Sequence, residues 1–136
     1  MAGELSGTDV FNVATRVMAG RFEWGVRDCF TAASDVFAEL HGLDFMADFR
    51  RSYASEFGSL RIIARHGSLM GVARECALRL RLIETPARTG AIGVSRPEDA
   101  CGGPALMICV TPDAWIGKSA QGVVVVPSAQ IAWAAS

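Results

Sequence analysis

The stretch Phe22-Glu-Trp-Gly-Val-Arg-Asp-Cys-Phe30 constrains the fold of this chain more than any other. An aromatic turn around Gly25 runs into Asp28 and Cys29. Apolar or small residues then fall at Ala32, Ala33, Val36, Phe37 and Leu40. That spacing is the stripe of a helix with one buried face. Asp28 is placed to be its N-cap, because its carboxylate can accept from the first free backbone N–H groups. Cys29 would then take the first helical position, facing the core within the positive end of the helix field. A thiol placed there tends toward a lowered pKa and a more reactive thiolate. Two readings of Cys29 stand side by side: a small buried residue that starts a core helix, or a nucleophile position, whether or not it is still used.

The rest of the chain arranges itself around that helix. Ser6 or Thr8 can cap an earlier one running to about Ala19, with Val10, Val13, Ala14, Val17 and Met18 on its apolar face and Gly20 as its stop signal. The Cys29 helix ends at His41-Gly42, and 43–53 reads as irregular or short helix. Phe57 to Arg65 forms another helix, closed by Gly67. Ser68 caps a further one, whose buried side carries Leu69, Val72, Ala73, Cys76 and Leu80. After Leu82 the pattern turns to β-type runs at Ala91–Ser95, Leu106–Thr111, Trp115–Lys118, Val123–Val126 and Ile131–Trp133. Turns at Gly102-Gly103-Pro104, Thr111-Pro112-Asp113 and Ala120-Gln121-Gly122 separate them. Val123 to Val126 is β-branched throughout, which suits a strand buried on both faces. Helices over 6–82 and strands over 90–134 predict one α+β domain spanning 1–136, with N-terminal helices packed on a small C-terminal antiparallel sheet.

Composition excludes several function classes. At 136 residues the chain can bury a core without disulfides or metal. It is 51% hydrophobic, yet its apolar runs are only a few residues long, so no segment is expected to cross a bilayer. Met1 to Gly7 has neither the basic start nor the apolar core of a signal peptide, and folding in the cytoplasm of the producing cell is expected. An apolar surplus without a membrane segment points to surface that a partner covers. The net charge of −1 gives the whole molecule no attraction for nucleic acid. Residues 1–48 carry −5, 49–96 carry +6 and 97–136 carry −2, and every basic residue but Lys118 is Arg. Cys29, Cys76, Cys101 and Cys109 contain no C-x-x-C pair and lie apart in sequence from both histidines. Neither a metal site nor another cofactor is expected, and without secretion no disulfide is expected.

A nucleophile position at the start of a core helix, followed by a meander of strands, is the plan of papain-like cysteine hydrolases. Trp24-Gly-Val-Arg-Asp-Cys29 resembles the Asp-Cys entry to the nucleophile helix of NlpC-type peptidases, the cell-wall amidases and endopeptidases that recur in phage tail tips. The chain is more similar still to a phage and prophage tail-region family of related pattern. The matching residues are Trp24, Gly25, Asp28, Cys29, Gly42, Asp44, Tyr53, Gly67, Gly90, Pro127 and Trp133, so the resemblance spans about 20–134. It implies an NlpC-like fold and a place in a phage or phage-derived tail tip or baseplate, hence in the virion. It also implies contacts with hub, distal-tail or fibre-bearing proteins. Trp24, Arg61, Arg65 and Trp115 are candidate partner contacts, and Trp133 is a further possible anchor; the alternative for each Trp is ordinary core packing.

The departures from that pattern decide the expected chemistry. Active members place a His at the start of the second strand as general base, where this chain has Ala105 ahead of Leu-Met-Ile-Cys-Val110. The usual Gly-Asp-Val strand opening reads Gly90-Ala91-Ile92. There is no His after residue 66. His41, twelve residues beyond Cys29, lies about 18 Å away along a helix and reads as a C-terminal cation on that helix. His66 reads as a capping residue before Gly67. A thiolate made by a helix end alone lacks the proton relay that acylation needs. The expectation is therefore a structural tail component with a degenerate peptidase fold, in which Cys29 keeps the nucleophile position without activity. One alternative is a working cysteine peptidase or amidase using Cys29, with His66 or a partner's His as base. A less favoured one is nucleic-acid binding by the Arg-bearing helix pair 57–80, whose second helix is short of base-reading polar residues.

Overall fold

The computed structural model describes residues 5–99 and 104–135. Cys101 and the Gly102-Gly103 part of the expected turn lie outside them. Four helices come first: α1 (Gly7–Met18), α2 (Thr31–His41), α3 (Glu56–Arg65) and α4 (Leu69–Arg79). The strands follow as β1 (Ile83–Glu84), β2 (Ile92–Ser95), β3 (Leu106–Thr111), β4 (Ala114–Ser119), β5 (Gly122–Val126) and β6 (Ala129–Ala134). They form one antiparallel sheet in the order β1-β6-β2-β3-β4-β5. The class is α+β. Five strands match the expected runs to within two residues at each end. β1 is an addition; two residues are too short for a periodicity to register.

Local chemistry sets the helix ends. Ser6 closes a capping box on α1, its hydroxyl accepting from the Asp9 N–H while its own N–H donates to the Asp9 carboxylate. Ser55 and Ser68 cap α3 and α4 by accepting from Gly58 and Gly71. α1 and α2 pack together and lie across the middle strands. Between them and the sheet sits the main core, with Val10, Ala14, Met18, Val36 and Phe37 from the helices against Ile92, Val94, Leu106, Ile108 and Ile116. Cys76 is buried there as well, from α4.

The other face of the sheet carries Ala91, Ala105, Met107, Cys109, Trp115, Val126 and Ala132, all buried. Trp115 fills this second cluster. A Cβ on Gly93 would lie 2.9 Å from the Trp115 ring and 2.4 Å from the Ile131 carbonyl oxygen, so only glycine lets the indole of β4 lie over β2. Trp115 is 1% exposed and Trp133 is buried too, which corrects the expectation that either is a partner anchor. In alternating strands these positions point inward, and the large rings repay burial.

A second correction concerns the valine run. β5 is an edge strand paired only with β4, and Val123 and Val125 are 42% and 59% exposed. A β-branched run records strand propensity and says nothing of how many neighbours the strand has.

Candidate functional site

Asp28 is fully buried and organises the loop that leads into α2. One carboxylate oxygen accepts from the backbone N–H groups of Phe30 (2.8 Å) and Thr31 (2.9 Å) and from the Thr31 hydroxyl (3.2 Å). The other accepts from the Gly25 N–H and the Tyr53 hydroxyl, both at 2.7 Å. The Thr31 hydroxyl in turn accepts from the Asp28 N–H at 2.9 Å, a reciprocal arrangement of the capping-box kind. The Ala32 N–H donates to the Asp28 carbonyl, so the first turn is wound from Asp28, although regular helix begins at Thr31 rather than at Cys29. Gly25, Asp28 and Tyr53, distant in sequence, thus meet in one hydrogen-bonded network. Gly25 has φ of 83°, and a Cβ there would come within 2.2 Å of the Tyr53 carbonyl oxygen.

Cys29 follows this hub and is half-buried at the edge of a cleft of about 510 Å³. The helical wall of the cleft includes Trp24, Phe30, Leu60, Ile63 and Leu69. Pro104, Ala105, Met107, Lys118 and Val124 line its strand side. Ala105, which occupies the base position implied by the resemblance, is therefore in the same cleft as the thiol. Neither histidine lines it. His41 Nε2 lies 2.9 Å from the Gly90 carbonyl oxygen, tying α2 to the turn before β2 rather than only ending its own helix. His66 pairs with Glu75 and stacks edge-on against Phe49.

The thiol is not activated, which corrects the expectation of a lowered pKa. Burial pushes Cys29 from its ordinary value near 9 up to about 12, and the neighbouring Asp28 carboxylate pushes the same way. Its own backbone N–H at the helix start offsets only part of this, and Glu56 on the cleft wall adds a further unfavourable charge. The helix field acts here against two carboxylates and the desolvation. All three outweigh a partial charge that is felt only over the first turn.

Lys118 is the site residue that sequence reading missed. It is 4% exposed, and its ammonium donates to the carbonyls of Met18 and Gly20, each at 2.6 Å. Those carbonyls sit at and just beyond the C-terminus of α1, where the helix leaves acceptors unpaired and favours positive charge. Desolvation, with a smaller push from Arg27, lowers the Lys118 pKa. A signal was present: this sole lysine shares strand parity with the core residue Ile116.

The remaining candidates lie elsewhere. Trp24 is half-buried on the cleft wall, edge-to-face with Phe22 at 4.9 Å between centroids. Arg61 and Arg65 are exposed on α3 and line a separate depression with Asp48, Phe49 and His66, so they do not join Cys29. Among the described residues no cluster of three or more His, Cys, Asp or Glu could hold a metal ion, and no helix is long and apolar enough to cross a membrane.

The family model of a domain of unknown function, DUF6950, matches residues 7–135. No curated protein and no solved structure matches the chain.

Proposed function

We propose that this chain, which belongs to the DUF6950 family, is a structural component of a phage or phage-derived tail tip or baseplate, with a degenerate NlpC-like cysteine-peptidase fold. The observation that carries the absence of chemistry is the company of Cys29. The thiol opens on a cleft whose strand wall presents Ala105 in place of a base, and burial and two carboxylates keep its proton in place. A nucleophile needs the reverse: a neighbour that takes the proton and a field that favours the thiolate. Lys118 supplies no base either, because its ammonium donates to the carbonyls of Met18 and Gly20.

The tail assignment rests on the sequence resemblance. Its support is the order of Trp24, Gly25, Asp28, Cys29 and Tyr53, joined with a half-apolar composition suited to partner contact. Trp24 and the exposed Arg61 and Arg65 are the remaining candidate contacts with hub, distal-tail or fibre-bearing proteins.

Alkylation kinetics test the chemical half. Iodoacetamide should modify Cys29 in the folded protein at pH 8 on the order of a hundredfold or more slower than in the urea-unfolded chain, following the loss of thiolate. Peptidoglycan release should be absent and unaffected by Cys29→Ser. Fast alkylation below pH 8 with release abolished by Cys29→Ser would establish the working-peptidase alternative instead. The assembly half is tested by deleting the gene from its phage: particles should lose tail tips, and Cys29→Ser should restore them.

A further inference from the structure

The two edges of the sheet are built differently. At one end β1 is two residues long, carries Glu84, and is flanked by Arg81 and Pro86. Shortness, charge and proline are the devices that keep an edge from pairing with another chain. At the other end β5 is five residues long, Gly122-Val-Val-Val-Val126, and uncharged; Pro127 stands only beyond its last residue, and no charged residue follows Lys118 in the chain. An open edge of four valines is a liability unless it is used.

The register says how it would be used. Ser119 pairs with Gly122 across the two-residue turn at Ala120-Gln121, and Gly117 and Trp115 pair with Val124 and Val126. In a two-residue hairpin the pair flanking the turn is hydrogen-bonded, and hydrogen-bonded pairs recur at every second residue. Gly122, Val124 and Val126 thus spend their backbone groups on β4, while the N–H and C=O of Val123 and Val125 point away from the sheet. Those two residues also carry the exposed side chains, 42% and 59% exposed, on one face.

We propose that β5 is the self-association edge of this protein, pairing antiparallel with β5 of a second copy about a two-fold axis through Val124. The strand is self-complementary in that register. Val123 faces the partner's Val125, and the symmetric pair repeats it, so each pair exchanges both of its outward hydrogen bonds. The exposed valines meet as cross-strand pairs of β-branched side chains. No like charges oppose one another. Phe11 on α1, 46% exposed, stands about 140° around the helix from Arg16, which pairs with Glu39 of α2. It therefore lies on the flank of α1 turned from α2, and α1 itself packs over β4, the strand next to β5. The result is a continuous twelve-stranded sheet, twice the six of one copy.

Light scattering with size-exclusion chromatography on the full chain, from about 1 to 500 µM, is the test, since short edge contacts give concentration-dependent dimers. The wild type should reach twice the 14.4 kDa chain mass. Val125→Pro removes one outward N–H and spares the β4 ladder, and Val123→Lys with Val125→Lys places like charges across the axis. Either should raise the dimer dissociation constant at least about tenfold with an unchanged circular dichroism spectrum. Leu78→Lys, exposed on α4, should leave it unaltered. Hydrogen exchange at the Val123 and Val125 amides should slow as concentration rises, and that at Val124 should not change. A monomer throughout the range, or a dimer indifferent to both edge variants, would overturn the proposal.

Discussion

Replacing Asp28 by Asn probes the network that fixes the entry to α2. The substitution keeps size and keeps one oxygen for the Phe30 and Thr31 amides. It places an NH2 group where the second oxygen accepts from Gly25 and Tyr53 at 2.7 Å. The Tyr53 hydroxyl can rotate and accept from that NH2, but the Gly25 N–H has no such freedom and is left facing a donor. One charge-assisted bond is lost outright, at about 1.5–3 kcal/mol, and those that remain fall to neutral strength. The total is about 3–4 kcal/mol, a large part of the ~5–15 kcal/mol that holds a domain together. In a chain of this length it lowers Tm by about 10 °C. Tyr53→Phe alone should cost about 2 kcal/mol, and only about 1 kcal/mol in the Asp28→Asn background, a coupling of about 1 kcal/mol. Urea melts of the four proteins give the cycle. Additive effects, or an Asp28→Asn cost below ~1 kcal/mol, would refute the view that the carboxylate and the phenol act as one unit.

Gly25→Ala should be more damaging than its size suggests, at about 2 kcal/mol or more, because its Cβ meets the Tyr53 carbonyl and its φ is 83°; thermal melts suffice to check it. Lys118→Met should cost about 1–3 kcal/mol by leaving the Met18 and Gly20 carbonyls without their donor, with faster amide exchange in the last turn of α1. Stability should also fall in alkali. Burial holds the Cys29 and Cys76 thiols up to about 12 and Cys109 up to about 11, and burial beside Asp28 raises the Tyr53 hydroxyl too. The unfolded chain therefore sheds these protons first: their contribution is complete below about pH 9 and declines through the range 9–12. Urea midpoints should be level from pH 7 to 8.5 and drop steadily from 9, and a level profile to pH 10.5 would contradict the burial of these groups.

The elements legible in the sequence are those in which a local rule and the tertiary structure agree. Ser6 and Ser68 stand before apolar stripes and cap the helices that follow, at Gly7 and Leu69. The strand pattern gives β3 to the residue. What escaped is set by neighbours rather than by local pattern. β5 has the composition of an inner strand and the position of an outer one, and strand order is fixed by pairings distant in sequence. Trp115 reads equally well as an anchor or as core, until Gly93, twenty-two residues earlier, is found beneath its ring. The raised pKa of Cys29 is not legible at all, because the helix field is visible in a sequence and the desolvation that overrides it is not.

Under the proposed function, a motif of catalytic appearance persists without catalysis. Cys29 and Asp28 are adjacent, yet they serve different surfaces: the thiol reaches the cleft, while the carboxylate is turned inward to five donor contacts. Asp28, Gly25 and Tyr53 are held by the needs of folding, since each fills a steric or hydrogen-bonding place that no other residue fills as cheaply. Ala105 answers to no such need. It is a small buried side chain just before β3, clustered with Met107 and Trp115. Under the proposed function the signature divides into a part the core requires and a part that only chemistry requires, and this chain retains the first. Restoring the second would take more than Ala105→His, because an imidazole there would still face a thiol whose proton is held by burial and by Asp28. Such a variant should fold and remain slow to alkylate, and rapid alkylation at pH 7 would show that one base, rather than the whole electrostatic setting of the cleft, separates this protein from an active hydrolase.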